Sequence, residues 1–494
     1  MISRPRIIEL TALALILLLA ADLRLANVAV NPAWYTDEGT HLDIVRHLLQ
    51  GQVQYLAVNQ SWLLFSRLPL FEILLSGAAL SGGVNMLTLR TVTGLLGVIT
   101  VAVLYLAVRR MTRDTWLALL ATLLLAIYPP AVLYSRFGFS YNLLAPLVLT
   151  ALLGLVDYSG SRSKRWLVVS ALSIGLGTLS DLWMFVILAP FVLIVLMRNW
   201  RDALWSVPLA LLPFGIYAAC LLLTVPQAFL FDWHFVLSRV NQLPLDRQAA
   251  TLWQNITTLA AQDVWMIAGA IGLVLLKLPR VRWIALAFFA IPIVLLGRTM
   301  ALYSLSFYYL IPLLPFIALG VASLIRYGTA CLASRFGPRS SVALGVLIAA
   351  LLLLSTFRLV EQVRDGFRTD IDGFLLDPMA TQEAAAFVNQ HTASSDLIIA
   401  SPILAWMLQA RVADVQMPLA YRGQATPHLP ANVPRERWAF EPNVELARFV
   451  IVDNLWRNWA VPNVPGMADM LQEIATWPIV LRSGEVMVYQ NPED

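Results

Sequence analysis

The sequence predicts an all-α polytopic membrane protein that ends in a small soluble α/β domain, and three observations carry that prediction. Of the 494 residues, 59% are hydrophobic and only 13% charged, far below the charged share of a soluble globular domain. Apolar runs of roughly twenty residues, the length a helix needs to cross a bilayer, recur along the first part of the chain. After about Arg358 those runs shorten, and Pro, Asp, Arg and Asn become common.

In chain order, the first run is Ile7–Val28, preceded by Arg4 and Arg6. Asp22 and Arg24 break any small-residue cleavage pattern, so the run reads as an uncleaved anchor rather than a signal peptide. Further spans are expected at Met86–Val108, Thr115–Tyr134, Tyr141–Val156, Trp166–Leu179, Leu182–Met197, Ala203–Val225, Val264–Leu276, Trp283–Leu296, Tyr303–Ile325 and Val342–Phe357. Leu68–Leu80 is apolar but too short to span. If it stays on one side and the N-terminus is cytoplasmic, Arg109, Arg110 and Arg113 fall inside. So do Arg162, Lys164 and Arg165; Arg198 and Arg201; Lys277, Arg280 and Arg282; and Arg326, Arg335 and Arg339. The opposite assignment inverts the positive-inside bias. Leu68–Leu80 is therefore expected to be re-entrant or interfacial, which leaves eleven spans and an external C-terminus.

This topology leaves three external regions: 29–85, 226–263 and the tail. The chain divides into a membrane domain, 1–357, and a soluble domain, 358–494. In the tail, "TQEAAAFVNQHT" has helical spacing, and "DLIIAS", "RFVIVDN" and "EVMVYQ" read as short buried strands. The net charge of +4 follows from positive-inside placement and does not indicate a nucleic-acid surface. Cys220 and Cys331 form neither a disulfide framework nor a metal spacing.

The first external region carries the candidate chemistry. In "NPAWYTDEGTHLDIVRHLLQ", Trp34 and Tyr35 precede the adjacent acids Asp37 and Glu38. Leu42, Val45, Leu48 and Leu49 then fall at helical spacing, so a helix is expected to lie in the interface. Its polar residues, His41 and His47 among them, are expected to be solvated. Thr36 or Asp37 reads as its cap, with Glu38 in the first turn. Two arginines share the outer face under this topology: Arg67 in "FSRLPLFE" and Arg136 in "YSRFGFSYN". Guanidinium groups bind phosphate oxygens bidentately, and a nearby carboxylate can take a proton from a hydroxyl. Glu72, an acid within the short apolar segment, is a functional suspect by its placement. An ion pair with Arg67 or Arg90 would also account for it.

The order of anchor, "WYTDEG", amphipathic helix, short "RLPL" segment, Arg-ended span and "YSRFG" loop resembles the GT-C superfamily of polyprenyl-phosphate-sugar glycosyltransferases. The nearest branch is that of the protein O-mannosyltransferases and the lipid A aminoarabinose transferases. "FYYLIPLLPFIALG" at Phe307–Gly320 is similar to a later span of that branch, and the resemblance covers roughly 5–325. It implies a GT-C fold with juxtamembrane helices, and a sugar transferred from a polyprenyl-phosphate donor on the outer face of the cell membrane. Asp37 matches the catalytic base and Glu38 its companion. Arg67 and Arg136 match donor-phosphate positions, and Arg298 in "LLGRTMALYS" is a third candidate that reads equally as a headgroup anchor. Tyr308 and Tyr309 fall in the matching span and are candidates for substrate binding. So are Tyr141 and Asn142 in the second loop, and His234 in "FDWHFVLSR", although a His between Trp233 and Phe235 also reads as a packed interfacial residue.

Two departures stand out. Leu68 replaces one proline of a Pro-Pro pair, and Ser140-Tyr141-Asn142 stands where the branch supplies an acid. The missing acid points away from a divalent metal, which prefers several charged oxygen ligands, so no cofactor is expected. The acceptor, whether lipid, glycan or protein, is not legible. Two rival readings are a transporter or flippase, which would place charges mid-span in inverted repeats, and an inactive scaffold of the same fold.

Overall fold

The computed structural model describes residues 4–60, 68–238 and 243–493. Arg67 lies outside the described residues. Along the chain run α1 (Arg4–Leu25), α2 (Thr36–Leu49), the two-residue strands β1 (Gln54–Tyr55) and β2 (Val58–Asn59), α3 (Pro69–Gly82) and α4 (Met86–Thr112). They are followed by α5 (Thr115–Ile127), α6 (Pro129–Ser135), α7 (Tyr141–Ser161), α8 (Lys164–Thr178), α9 (Phe185–Arg198) and α10 (Trp200–Thr224). Then come α11 (Pro226–Ser238), α12 (Leu245–Gln262), α13 (Val264–Val274), α14 (Pro279–Gly297), α15 (Leu314–Phe336) and α16 (Pro338–Asp365). The tail contributes α17 (Pro378–His391), β3 (Leu397–Ile399), α18 (Pro402–Ala405), β4 (Arg411–Ala413), α19 (Met417–Tyr421), β5 (Ala447–Val452), β6 (Ile479–Ser483) and β7 (Val486–Gln490).

The protein is a multi-pass membrane protein. Among the described residues, six helices are long and apolar enough to cross a bilayer, or up to eight if each of two bent pairs is one span. Several of the eleven expected spans fall outside that set for visible reasons. Helix α1 carries Glu9, Asp22 and Arg24, α8 has 15 residues, and α5 and α6 are bent by 58° at Pro129. Helix α3 has 14 residues, a rise of about 21 Å, which is short of the bilayer core.

The chain forms two compact units. The first comprises Met1–Val28, Thr93–Cys220 and Arg239–Phe367. In it, Pro129 and Pro130 supply no N–H groups, so the last carbonyls of α5 lose their helical partners. Arg24, fully buried on α1, donates to Leu125 and Ala126 at 3.0 and 2.9 Å and replaces them. Helices α13 and α15 meet backbone to backbone. A Cβ on Gly272 would sit 1.7 Å from the Gly320 carbonyl oxygen, the close approach that small residues allow between membrane helices.

The second unit comprises Ala29–Val92, Leu221–Ser238 and Arg368–Asp494. Its sheet runs β4-β3-β5-β7-β6, with β3 parallel to β4 and β5, and β7 antiparallel to β5 and β6. The three expected strands are β3, β5 and β7, and the expected tail helix is α17. The stretch that follows α1 is stitched to the tail. Trp34 and Leu376 exchange backbone hydrogen bonds at 2.9 Å, and Ala439 donates to Ala57 at 2.9 Å. Arg437 is buried and ion-paired with Asp232 of α11 at 3.0 Å, while its other nitrogens donate to the Asn59 and Gln60 carbonyls. That pair ties all three stretches of the unit together.

Candidate active site

Helix α2 begins at the extended Tyr35, so neither Thr36 nor Asp37 is its cap. Glu38, three residues on, accepts the Tyr35 N–H at 2.9 Å, the reciprocal half of a capping box. Two acids in the first turn suit the positive end of the helix dipole. Glu38 is fully buried, and Arg90 grips both its oxygens, Nε to Oε1 at 2.7 Å and Nη2 to Oε2 at 2.6 Å. Arg90 also donates to the Pro32 and Ala33 carbonyls. The fork therefore fixes both the acid and the backbone that enters the helix. Asp37 stands beside this locked group and is half-buried.

The face of α2 that periodicity assigned to solvent is covered. Gly39 lies against α18, and a Cβ there would fall 2.2 Å from the Pro402 carbonyl oxygen. The glycine after the acid pair is thus the residue that lets the tail approach. Arg46 donates to the carbonyls of Ala405 and Leu408 at 2.8 and 2.9 Å, and Asp43 accepts the Leu56 N–H at 2.8 Å. His41 and His47 are buried, which corrects the expectation that they are solvated. His47 bonds the Asp43 carbonyl, and His41 Nδ1 bonds Glu72 Oε1 of α3 at 2.6 Å. Among the described residues Glu72 thus pairs with His41 rather than Arg90, and the alternative with Arg67 lies outside them. α2 is packed against both α3 and α18.

Beneath α2, Tyr55 is buried with its hydroxyl 3.5 Å from Thr40 Oγ1. Burial pushes its phenol up, and the charges of Asp414, Asp43 and Asp37 push the same way. Asp414, Ser401 and Asp453 sit just past the carboxyl ends of the parallel strands β4, β3 and β5. Burial raises the Asp414 carboxyl to about 7 and the Asp453 carboxyl to about 6.

Candidates in the first unit are placed as follows. Arg136, fully buried after α6, donates to the Leu23 and Ala26 carbonyls at 2.8 Å each and lies 5.4 Å from the Phe367 ring centre. Asn142 donates through Nδ2 to the carbonyls of Tyr134 and Phe139 at 3.1 Å each, closing the "SRFGFS" loop. A carboxylate in its place would have nothing to donate. Tyr141, Tyr308 and Tyr309 are brought together: Tyr141 and Tyr308 stack at 5.4 Å, Tyr309 meets Tyr141 edge-on at 5.4 Å, and Phe139 stacks on Tyr308 at 5.0 Å. Both α15-side tyrosines lie in Ser304–Leu313, a 3₁₀ segment far longer than the usual few residues. Arg298 follows α14 and is half-buried. In the second unit, His234 is exposed on α11. Among the described residues, no group of three or more His, Cys, Asp or Glu side chains has the geometry to hold a metal ion.

Two pairs that sequence reasoning did not assign emerge here: Arg90 with Glu38, and Arg437 with Asp232. Arg90 had a signal, because an ionisable residue near the start of a predicted span asks for a partner. Arg437, in the least matched part of the chain, had none.

Comparison with known proteins bears on the fold. The family model for dolichyl-phosphate-mannose-protein mannosyltransferase matches residues 67–229. No curated protein sequence matches the chain. The crystal structure of ArnT from Cupriavidus metallidurans bound to undecaprenyl phosphate superposes with a TM-score of 0.61 at 17% identity, covering 98% of this chain and 97% of that one. Its apo form gives 0.62 at 14% identity, with the same coverage. The arabinofuranosyltransferase AftD from Mycobacteria gives 0.52 at 17% identity, covering 99% of this chain and 40% of that one. The chain has the GT-C fold, and the resemblance read from its motifs is borne out.

Proposed function

We propose that the protein is an inverting membrane glycosyltransferase, moving a sugar from a polyprenyl-phosphate donor to an acceptor hydroxyl on the outer face of the cell membrane. The observation that carries the reading is the contrast between neighbours: Glu38 is buried and locked by Arg90, while Asp37 stands half-buried on the same first turn. Glu38 is then assigned as the positioning residue and Asp37 as the base. The GT-C fold and the undecaprenyl phosphate held by ArnT support a lipid-linked donor.

In this mechanism Asp37 removes the proton from the acceptor hydroxyl as its oxygen attacks the anomeric carbon. The bond from that carbon to the phosphate oxygen breaks on the opposite face, so one displacement inverts the configuration. The leaving polyprenyl phosphate is already anionic and needs no proton, so a single base suffices. Arg67, Arg136 and Arg298 are assigned to its developing charge; Arg136 would have to exchange its bonds to Leu23 and Ala26 for phosphate. Tyr141, Tyr308 and Tyr309 are assigned to substrate binding. No metal takes part in this scheme.

The test is transfer from polyprenyl-phosphate sugars by purified protein in detergent, comparing wild type with Asp37→Asn. A loss of at least about 100-fold in kcat is expected for removal of a general base, with donor binding retained. Full activity of Asp37→Asn would remove Asp37 from the role, and no transfer by wild type with any donor would favour a scaffold or a transporter.

A further inference from the structure

Glu72 is the one carboxylate on the apolar helix α3, and its environment is incomplete. It is 3% exposed. One oxygen is bonded to His41 at 2.6 Å, while Oε2 is buried with no hydrogen-bond partner among the described residues. One turn further along α3, Ser76 Oγ is likewise buried and unpartnered. Residues four apart lie on one helix face, so an acceptor and a hydroxyl stand in one row. Buried polar atoms are nearly always satisfied, and a carboxylate oxygen left bare in an apolar helix is costly.

The location of the row gives it a purpose. His41, which holds Glu72, lies four residues after Asp37 on α2, about 6 Å along the axis, the reach of a sugar ring. Helix α3 is two-faced. Ile73, Leu74 and Leu80 are exposed on one side, suited to acyl chains, while Glu72 and Phe71 are buried on the other. A ligand that reaches Glu72 from beside Asp37 is thus polar at the site and accompanied by lipid. That describes the donor, whose sugar is tethered to a polyprenol, better than a water-borne acceptor.

We propose that Glu72 is a specificity-determining residue that accepts a hydrogen bond through Oε2 from a ring hydroxyl of the donor sugar, with Ser76 Oγ as a second contact and His41 as the residue that aims the carboxylate. This rests on the donor class proposed above.

The test measures binding of undecaprenyl phosphate, bare and carrying mannose, glucose, galactose or arabinose, to purified wild type, Glu72→Gln and Ser76→Ala. Wild type prefers at least one sugar-bearing lipid over the bare one. Glu72→Gln, which keeps an oxygen for His41 and is expected to melt with wild type, loses about tenfold or more of that preference, the factor expected for one hydrogen bond to a charged acceptor. Its affinity for the bare lipid stays within about twofold. Ser76→Ala loses a smaller part. One deoxy form of the preferred sugar loses the same factor with wild type and nothing further with Glu72→Gln, as a coupled pair must. Retention of the full sugar preference by Glu72→Gln overturns the assignment and leaves the proposed function standing. Equal binding of bare and sugar-bearing lipids by wild type overturns this inference alone, while failure to bind any of these lipids refutes the donor class as well.

Discussion

Arg90→Met probes the feature on which the catalytic assignment depends. Arg90 and Glu38 are both fully buried and joined by two bonds of 2.6–2.7 Å. Removing the guanidinium takes the charged partner from a fully buried carboxylate, which costs about 3–5 kcal/mol. The Pro32 and Ala33 carbonyls also lose their donor, about 1 kcal/mol or more each. Because these losses overlap, a total of about 4–6 kcal/mol is expected. At about 2–4 °C per kcal/mol, the thermal transition in detergent, followed by tryptophan fluorescence, should fall by roughly 10–20 °C. The double variant Glu38→Met, Arg90→Met should recover most of that loss, since replacing both partners of a buried pair with apolar groups is close to neutral. It should not recover turnover. Without the fork the first turn of α2 is no longer held, and a misplacement of about 1 Å costs on the order of 100-fold in rate. An Arg90→Met variant melting within about 1 °C of wild type would refute the reasoning. So would a double variant no more stable than the single one.

Three further outcomes follow from other contacts. Gly39→Ala places a methyl group 2.2 Å from the Pro402 oxygen, so α18 must shift; a loss of about 1–3 kcal/mol is expected, visible as faster proteolysis of the tail. Asn142→Asp, although it restores the acid expected by resemblance, removes both donors to Tyr134 and Phe139. It should destabilise the protein by about 1–3 kcal/mol per orphaned carbonyl and should not make transfer sensitive to EDTA. Finally, Asp414 and Asp453 titrate well above an ordinary carboxyl because burial penalises their charge. Between about pH 4 and 7 the unfolded chain has released these protons and the folded one keeps them, so their contribution to stability falls as pH rises across that window. Asp414→Asn and Asp453→Asn should each flatten the decline of the thermal transition between pH 5 and 7.5; an unchanged slope in both would show that neither acid titrates there.

Hydropathy made the helical membrane architecture legible because a span must be apolar along its whole length, and α4, α7, α10 and α14 fall where the runs predicted. Span number was less legible, since the bend at Pro129 and the charges of α1 depend on partners elsewhere in the fold, such as Arg24 capping the broken α5. In the tail the three strands read from sequence, β3, β5 and β7, are the interior ones. Those missed, β4 and β6, are the sheet's two edges: β4 is only three residues long and β6 buries none of its residues, so the apolar signal is weak. At the site, the acid pair and the helix start were visible as a local pattern. The burial of His41 and His47 was not, because periodicity shows that a helix has two faces but not whether both are covered. The residue that covers Gly39 is Pro402, far beyond the reach of any local pattern.

That separation has a consequence for synthesis. Arg46 of α2 donates to carbonyls 359 and 362 residues later in the chain. At about 5–20 residues per second, α2 emerges from the ribosome roughly 20–70 s before the segment that closes over it. During that interval the acid pair exists without its enclosure, and a chain cut before Pro402 has Asp37 and Glu38 but not their finished surroundings. The enclosure of α2 is therefore completed only after Pro402, Ala405 and Leu408 have been made.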